Sequence, residues 1–242
     1  WEMRGPPLHH VHGKIMSWVA LDRAIRLLGS HSRWEHERDR IVAEVRTHGV
    51  STDGDHFVQA YGRCEADAAL LLVPMTGFPV DDRTATATID AIERELRSGD
   101  FLHRYKNEDG LEGDEGAFLI CSFWLVDALL YIGRKEEAAG LFHRLVDCAN
   151  DVGLYAEEID PANRAFLGNF PQTYTQLALI GSAVHLALSE TKGVAALKGT
   201  HAERAQRIVS ATLGWRAIFA AAKATWRVGR LWSSKRSILS LE

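Results

Sequence analysis

Two adjacent carboxylates, Glu157 and Glu158, follow the aromatic Tyr155 and precede the turn-forming run Asp160-Pro161-Ala162-Asn163. Proline and Asx residues interrupt a helix, so these acids are expected on a loop. A loop carboxylate in a pocket can take or give a proton at a bound substrate. The ordinary fate of a glutamate is a solvated surface position, and that reading stands beside the catalytic one. Two other groups could do chemistry. His9, His10 and His12 are closely spaced, but with no neighbouring cysteine or carboxylate pattern they suit a polar lining better than a zinc site. Glu112, Asp114 and Glu115 precede a long apolar run, where a helix N-terminus favours negative charge and capping accounts for them.

The positioning elements are helical. Pro171 suits a first helical turn, and Leu177, Ile180, Val184 and Leu188 recur at helical spacing, which predicts a helix that buries that stripe. Upstream, residues 14–28 form an amphipathic helix ending near Gly29, and 33–48 a charged outer helix with a narrow stripe of Trp34, Ile41, Val42 and Val45. Residues 66–73 are nearly all apolar up to Pro74 and read as an inner helix. An outer helix follows at 83–97, with Ile89, Ile92 and Leu96 facing inward. Residues 117–132 carry one charge, Asp127, and are apolar all round, which in a soluble protein means burial on most sides. A further outer helix at 134–149 turns Ala138, Leu141, Phe142 and Leu145 inward. No segment of strand period competes, although 56–61 is a candidate extended piece. Alternating exposed and buried helices are what a double ring of helices requires.

At 242 residues, 46% hydrophobic and 25% charged, the chain suits a soluble globular domain. It shows no membrane-length apolar run and no signal peptide, so a cytoplasmic location is the default. Cys64, Cys121 and Cys148 are odd in number and far apart, which argues for reduced thiols, with Cys121 and Cys148 buried. Residues 201–242 carry eight Lys/Arg against two glutamates, so the remainder of a chain of net charge -4 is strongly acidic. That suits neither nucleic acid nor an anionic membrane surface as a partner.

Several motifs together resemble glycoside hydrolase family 15, the glucoamylase, glucodextranase and bacterial trehalase family. They are WEMRGPP at 1–7, HGKIMSWVALDRAIRL at 12–27, RYKNEDGLEGDEGAFLICSFWLVDALL at 104–130, LYAEEID at 154–160 and GNFPQTYTQLALI at 168–180, in the family's order. The resemblance implies an all-α fold, a partial (α/α)6 barrel holding about seven of twelve helices. Residues 1–190 would be the C-terminal part of the catalytic domain, and 191–242 a helical extension with a basic tail. It further implies an inverting, exo-acting α-glucoside hydrolase with Glu2 as general acid and Glu157 as general base. Inversion needs the two carboxyl groups about 6.5 to 9.5 Å apart, so that a water fits opposite the leaving group.

Sugars present apolar faces between rings of hydroxyls, so a pocket combines flat aromatics with charged forks. Trp1, Arg4, Arg104, Tyr105 and Tyr155 are the candidates, with Glu158 as hydrogen-bonding neighbour of Glu157. Arg104 is implied to contact the sugar next to the scissile bond; pairing with Glu108 or Asp109 is the alternative. The mechanism needs no redox cofactor, and no metal site is assigned. Trehalose and α-1,4 or α-1,6 glucans are equally compatible substrates. Trp1 is not an initiator methionine and already lies in a motif, so the chain is expected to be a fragment whose partner is the missing N-terminal part of the same enzyme. A non-catalytic structural or interaction piece is the competing reading.

Overall fold

The computed structural model describes residues 6–106 and 115–210, with side chains as far as 207. Eight α-helices dominate the described residues: α1 (Val11–Leu28), α2 (Ser32–His48), α3 (Val73–Thr76), α4 (Asp82–Leu96), α5 (Leu119–Tyr131), α6 (Lys135–Val146), α7 (Thr173–Lys192) and α8 (His201–Ser210). The chain is mostly helical, as expected, and the helices form part of a barrel. α5 is its centre: from Leu119 to Leu130 only Ile120 and Trp124 escape full burial. α7, α6 and α4 pack around it, while α1 and α2 form a hairpin in which α2 has one fully buried residue, Val45. α4 and α6 bury the apolar stripes that their spacing predicts.

Three expectations need correction. The apolar run at 66–73 is not one helix. Asp67 accepts a hydrogen bond from Ala69 N–H and starts a 3-10 turn over Ala68–Leu72, which passes into the one-turn α3. Pro74 sits inside that turn, where it needs no N–H partner, and Gly77 at φ 82° ends it. Second, α7 does not bury Leu177 and Ile180, which are 58% and 56% exposed. Its packed face carries Thr175, Leu179, Ser182, Ala183 and Leu188. Small and hydroxylated residues let α7 come close enough to α5 for Ser182 Oγ to donate to the Phe123 carbonyl at 3.0 Å, and that close approach sets the helix's rotation. Third, Cys148 is only half-buried, although all three cysteines are free thiols.

Short extended pieces do occur. β1 (Arg97–Ser98) pairs with β2 (Phe101–Leu102), and β3 (Ala117–Phe118), β4 (Glu158–Ile159) and β5 (Phe166–Leu167) form an antiparallel sheet in the order β3-β4-β5. Each strand has two residues, too few for a period-2 pattern to show in the sequence. The segment 56–61 makes isolated bridges, Val50 with Phe57 and His10 with Ala60.

α8 is anchored by a buried charge. Arg204, 1% exposed, donates through Nη1 to the carbonyls of Met75 at 2.9 Å, Leu197 at 3.2 Å and Gly199 at 2.7 Å. Truncating it leaves buried carbonyls without donors. Arg204→Ala is therefore expected to lower the unfolding free energy by about 3 kcal/mol in urea titrations. A loss below about 0.5 kcal/mol would show that these contacts do not hold α8 in place.

Candidate active site

The candidate residues that the structure describes lie where the loops enter α5, α7 and the 3-10 turn. The Arg104 carbonyl accepts the Ala68 N–H at 2.9 Å, which ties the loop before α5 to the start of the 3-10 turn. The Glu157 carbonyl accepts the N–H of Leu119, the first residue of α5, at 3.1 Å, and the Tyr155 carbonyl accepts the Gln172 N–H at the start of α7 at 2.9 Å. At the α1 end, burial holds the His12 imidazole below its usual pKa, against the attraction of Asp67. A neutral His12 suits a polar lining.

The β3-β4-β5 sheet decides which side chains meet. Phe118 pairs with Glu158 and Glu158 with Leu167; Ala117 pairs with Ile159 and Ile159 with Phe166. Residues directly opposite on paired strands project to the same side. Ala117 and Ile159, both fully buried, enter the core, so Phe118, Glu158 and Leu167 share the other face. Arg104 lies on that face, its guanidinium carbon 4.9 Å from the Phe118 ring centroid and 4.6 Å from that of Tyr105. Its partner is Glu115: Nε donates to Oε2 at 2.8 Å, and Nη2 pairs with Oε1. Glu108 and Asp109, the partners weighed from sequence, lie outside the described residues, as do Glu112 and Asp114. Glu115 itself precedes β3 and binds Arg104, so helix capping does not explain it.

Glu157 is held from the neighbouring loop. Its Oε2 accepts from Asn169 Nδ2 at 2.8 Å and from the Asn169 N–H at 3.2 Å, while its own N–H donates to the Asn169 carbonyl at 2.9 Å. Glu158 Oε2 accepts the Gly116 N–H at 2.9 Å. Burial pushes the Glu158 carboxyl above its ordinary pKa; the Gly116 hydrogen bond and Arg104 oppose the rise, and Glu115 and Glu157 add to it.

Two glycines make this crowding possible. A β-carbon on Gly168 would stand 2.9 Å from Glu157 Oε2 and 3.3 Å from Glu158 Oε1, so both carboxylates converge over that residue. One on Gly116 would stand 3.1 Å from Glu158 Oε2 and 2.9 Å from Leu167 Cδ1. Gly168 also has φ 68°, the left-handed region. Neither glycine is singled out by sequence reasoning, because their use depends on carboxylates placed by the sheet. Asn169 was likewise missed.

Tyr155 is corrected. It is 1% exposed, packs edge-on against Phe123, and lies within hydrogen-bonding distance of the carbonyls of Leu145 at 3.2 Å and Val146 at 3.1 Å. Its ring is a core element that fixes the loop before Glu157. Tyr105 is 5% exposed, beneath Arg104. Trp1, Glu2 and Arg4 lie outside the described residues. A separate cavity of about 380 Å³ opens between α1, α3, α5 and α7, with Met16, Trp124, Tyr174 and Leu177 in its wall; of the candidate site residues that the structure describes, none lines it. His185 Nδ1 lies 3.1 Å from Asp127 Oδ1 at its edge, off the line of a hydrogen bond. Among the described residues, no three His, Cys, Asp or Glu side chains gather as a metal set, and no helix is long and apolar enough to cross a membrane.

The model of glycosyl hydrolases family 15 matches residues 1–184. The chain belongs to that family. Among relatives, a trehalase of Mycobacterium tuberculosis is 46% identical over 200 residues, which cover 78% of this chain and 29% of the relative. A trehalase of Thermoplasma volcanium is 41% identical over 194 residues, 77% of this chain and 31% of the relative. The family 15 chain thus spans about a third or less of the length of these relatives. Among solved structures, a glycosidase in complex with glucose aligns with a TM-score of 0.60 at 20% identity, covering 75% of this chain and 53% of that one. A wild-type glycosidase gives 0.60 at 21% identity, covering 77% and 53%. These likenesses agree with a partial helical barrel.

Two outcomes follow from the geometry. Gly168→Ala must either hold a left-handed conformation or push Glu157 aside, and is expected to lower stability by about 1–2 kcal/mol from the backbone alone. An unchanged urea midpoint would contradict this packing. For Glu158, a raised folded pKa means that its contribution to stability is present below the unfolded value and lost as pH rises through the folded one. Wild type should therefore lose stability relative to Glu158→Gln as pH rises above the ordinary glutamate value of about 4.3. A difference that is constant, or that grows with pH, would remove the burial argument.

Proposed function

We propose that this chain carries the catalytic carboxylates of an inverting, exo-acting α-glucoside hydrolase, with Glu157 as general base and Glu2 as general acid. The observation that carries the reading is the fixed Glu157 carboxylate. Asn169 donates two hydrogen bonds to Oε2, which leaves Oε1 as the oxygen assigned to the attacking water. The base would take a proton from that water as it attacks the anomeric carbon, while Glu2 protonates the departing glycosidic oxygen from the opposite side. Arg104 and Tyr105 would hold the sugar beside the scissile bond, and Glu158 would bind a hydroxyl. Trp1 and Arg4 would complete the pocket.

Trehalose is the favoured substrate, because relatives at 46% and 41% identity are named trehalases; maltooligosaccharides are the alternative within the class. No redox cofactor is needed. A second reading has its own observation. Met16, Tyr174, Leu177 and Ile180 are exposed apolar residues, the face of a piece that packs against the rest of a longer enzyme. We assign that partner to the N-terminal part of the same enzyme, with the chain a C-terminal part of the catalytic domain and 191–242 its extension. The reading places the protein in the cytoplasm, with neither nucleic acid nor membrane as partner.

Proton NMR of the anomeric signal during trehalose or maltose cleavage tests the mechanism. Inversion should release the attacked residue as β-glucose, accompanied from trehalose by an equal amount of α-glucose from the leaving residue before mutarotation, and Glu2→Gln and Glu157→Gln should each slow that release by about 100- to 10,000-fold. α-Glucose with no early β-glucose, or either variant at normal turnover, would overturn the assignment.

A further inference from the structure

Arg104 is a cation beside Glu158, and it is already occupied. Its guanidinium lies on Tyr105 and Phe118, and one edge of its fork is engaged by Glu115 through Nε and Nη2. Phe118 and Glu158 are cross-strand partners on one face of the sheet, so the plane on which Arg104 rests is the plane from which the Glu158 carboxyl rises. Gly116, directly after Glu115, donates its N–H to Glu158. A guanidinium on a flexible stem beside two carboxylates forms a bidentate pair with one of them unless something else holds it.

We propose that Glu115 is a positioning residue that acts through Arg104: its carboxylate clamps the guanidinium flat on Tyr105 and Phe118, and so keeps it from closing onto Glu157 and Glu158. Resting on the hydrolase reading above, this deepens it. A sugar then meets an arginine whose orientation is fixed before binding, which reduces the ordering that binding requires. The two glutamates stay available, one for water and one for a hydroxyl. Among the described residues, the charged groups facing Glu158 are Glu115 and Arg104 from the loop before α5 and Glu157 directly before β4, so the balance at Glu158 reports where the Arg104 charge lies.

The test is a carbon-13 NMR titration of the Glu158 carboxyl in the full chain, in wild type, Glu115→Gln, Arg104→Gln and the double variant. Released from its clamp, Arg104 should close on the glutamates in Glu115→Gln and lower the Glu158 midpoint by about one to three pH units. With Arg104 replaced, the same Glu115→Gln change should shift the midpoint by less than a third as much. Glu115→Asp, which keeps a carboxylate, should restore at least half of the wild-type value. Equal shifts in both backgrounds would mean that Glu115 acts on Glu158 directly, and no shift would mean that Arg104 stays where it is without Glu115; either result overturns the proposal. Circular dichroism of each variant confirms the fold, and Glu115→Ala carries the comparison should Glu115→Gln unfold. The titration needs no turnover, so a parent without glucosidase activity counts against the hydrolase reading alone.

Discussion

Three two-residue strands hold the site together. Without the backbone pairing of β3, β4 and β5, the loop from Leu154 to Gln172 would have no fixed height above α5. The pairing fixes it in two ways. It drives Ile159 and Ala117 into the core, where both are fully buried, and it thereby sets Glu158 and Phe118 together on the opposite face of the sheet. A slip of one residue would exchange these faces, bury the carboxylate and expose the isoleucine. The apolar cost of that exchange makes the register stiff. Tyr155 reinforces it from below, where its ring fills the space beside Phe123.

On that frame the charges are arranged so that none faces the core unpaired. Arg104 answers Glu115, the Gly116 N–H answers Glu158, and Asn169 answers Glu157. Close packing of so many polar atoms is possible because two positions lack side chains. Gly116 and Gly168 leave the volume that the Glu157 and Glu158 oxygens take up. Loop rigidity and site electrostatics are therefore one property of this segment, since the groups that fix the loop are those that set the carboxyl environments.

Much of the fold was legible because its helices are long and periodic. α4 and α6 bury Ile89, Ile92, Leu96, Leu141 and Leu145, as their spacing requires. α7 was misjudged because periodicity marks an apolar stripe but does not say which face a neighbour can approach. Thr175, Ser182 and Ala183 allow a closer approach than Leu177 and Ile180, and α5 takes that side. At the site, the non-helical position of Glu157 and Glu158 was readable from Asp160 and Pro161, but not the placement of Glu158 in β4 rather than on a loop. The partners were not, since Glu115 and Arg104 are joined through sheet geometry that dipeptide strands do not announce. Tyr155 was misread because an aromatic beside an acid looks the same in sequence whether it faces a ligand or a core. The motifs led to the family where spacing alone could not.

The central claim is that sugar lies over the outer face of the β3-β4-β5 sheet. A glucose titration followed by backbone and side-chain amide NMR tests it most directly. The expected result is movement of the Gly116, Glu158 and Asn169 signals and of Arg104 Nε–H, with the Trp124 indole and the Gly181 amide of the cavity unchanged. Shifts confined to Trp124 and Gly181, or none at saturating glucose, would contradict the account.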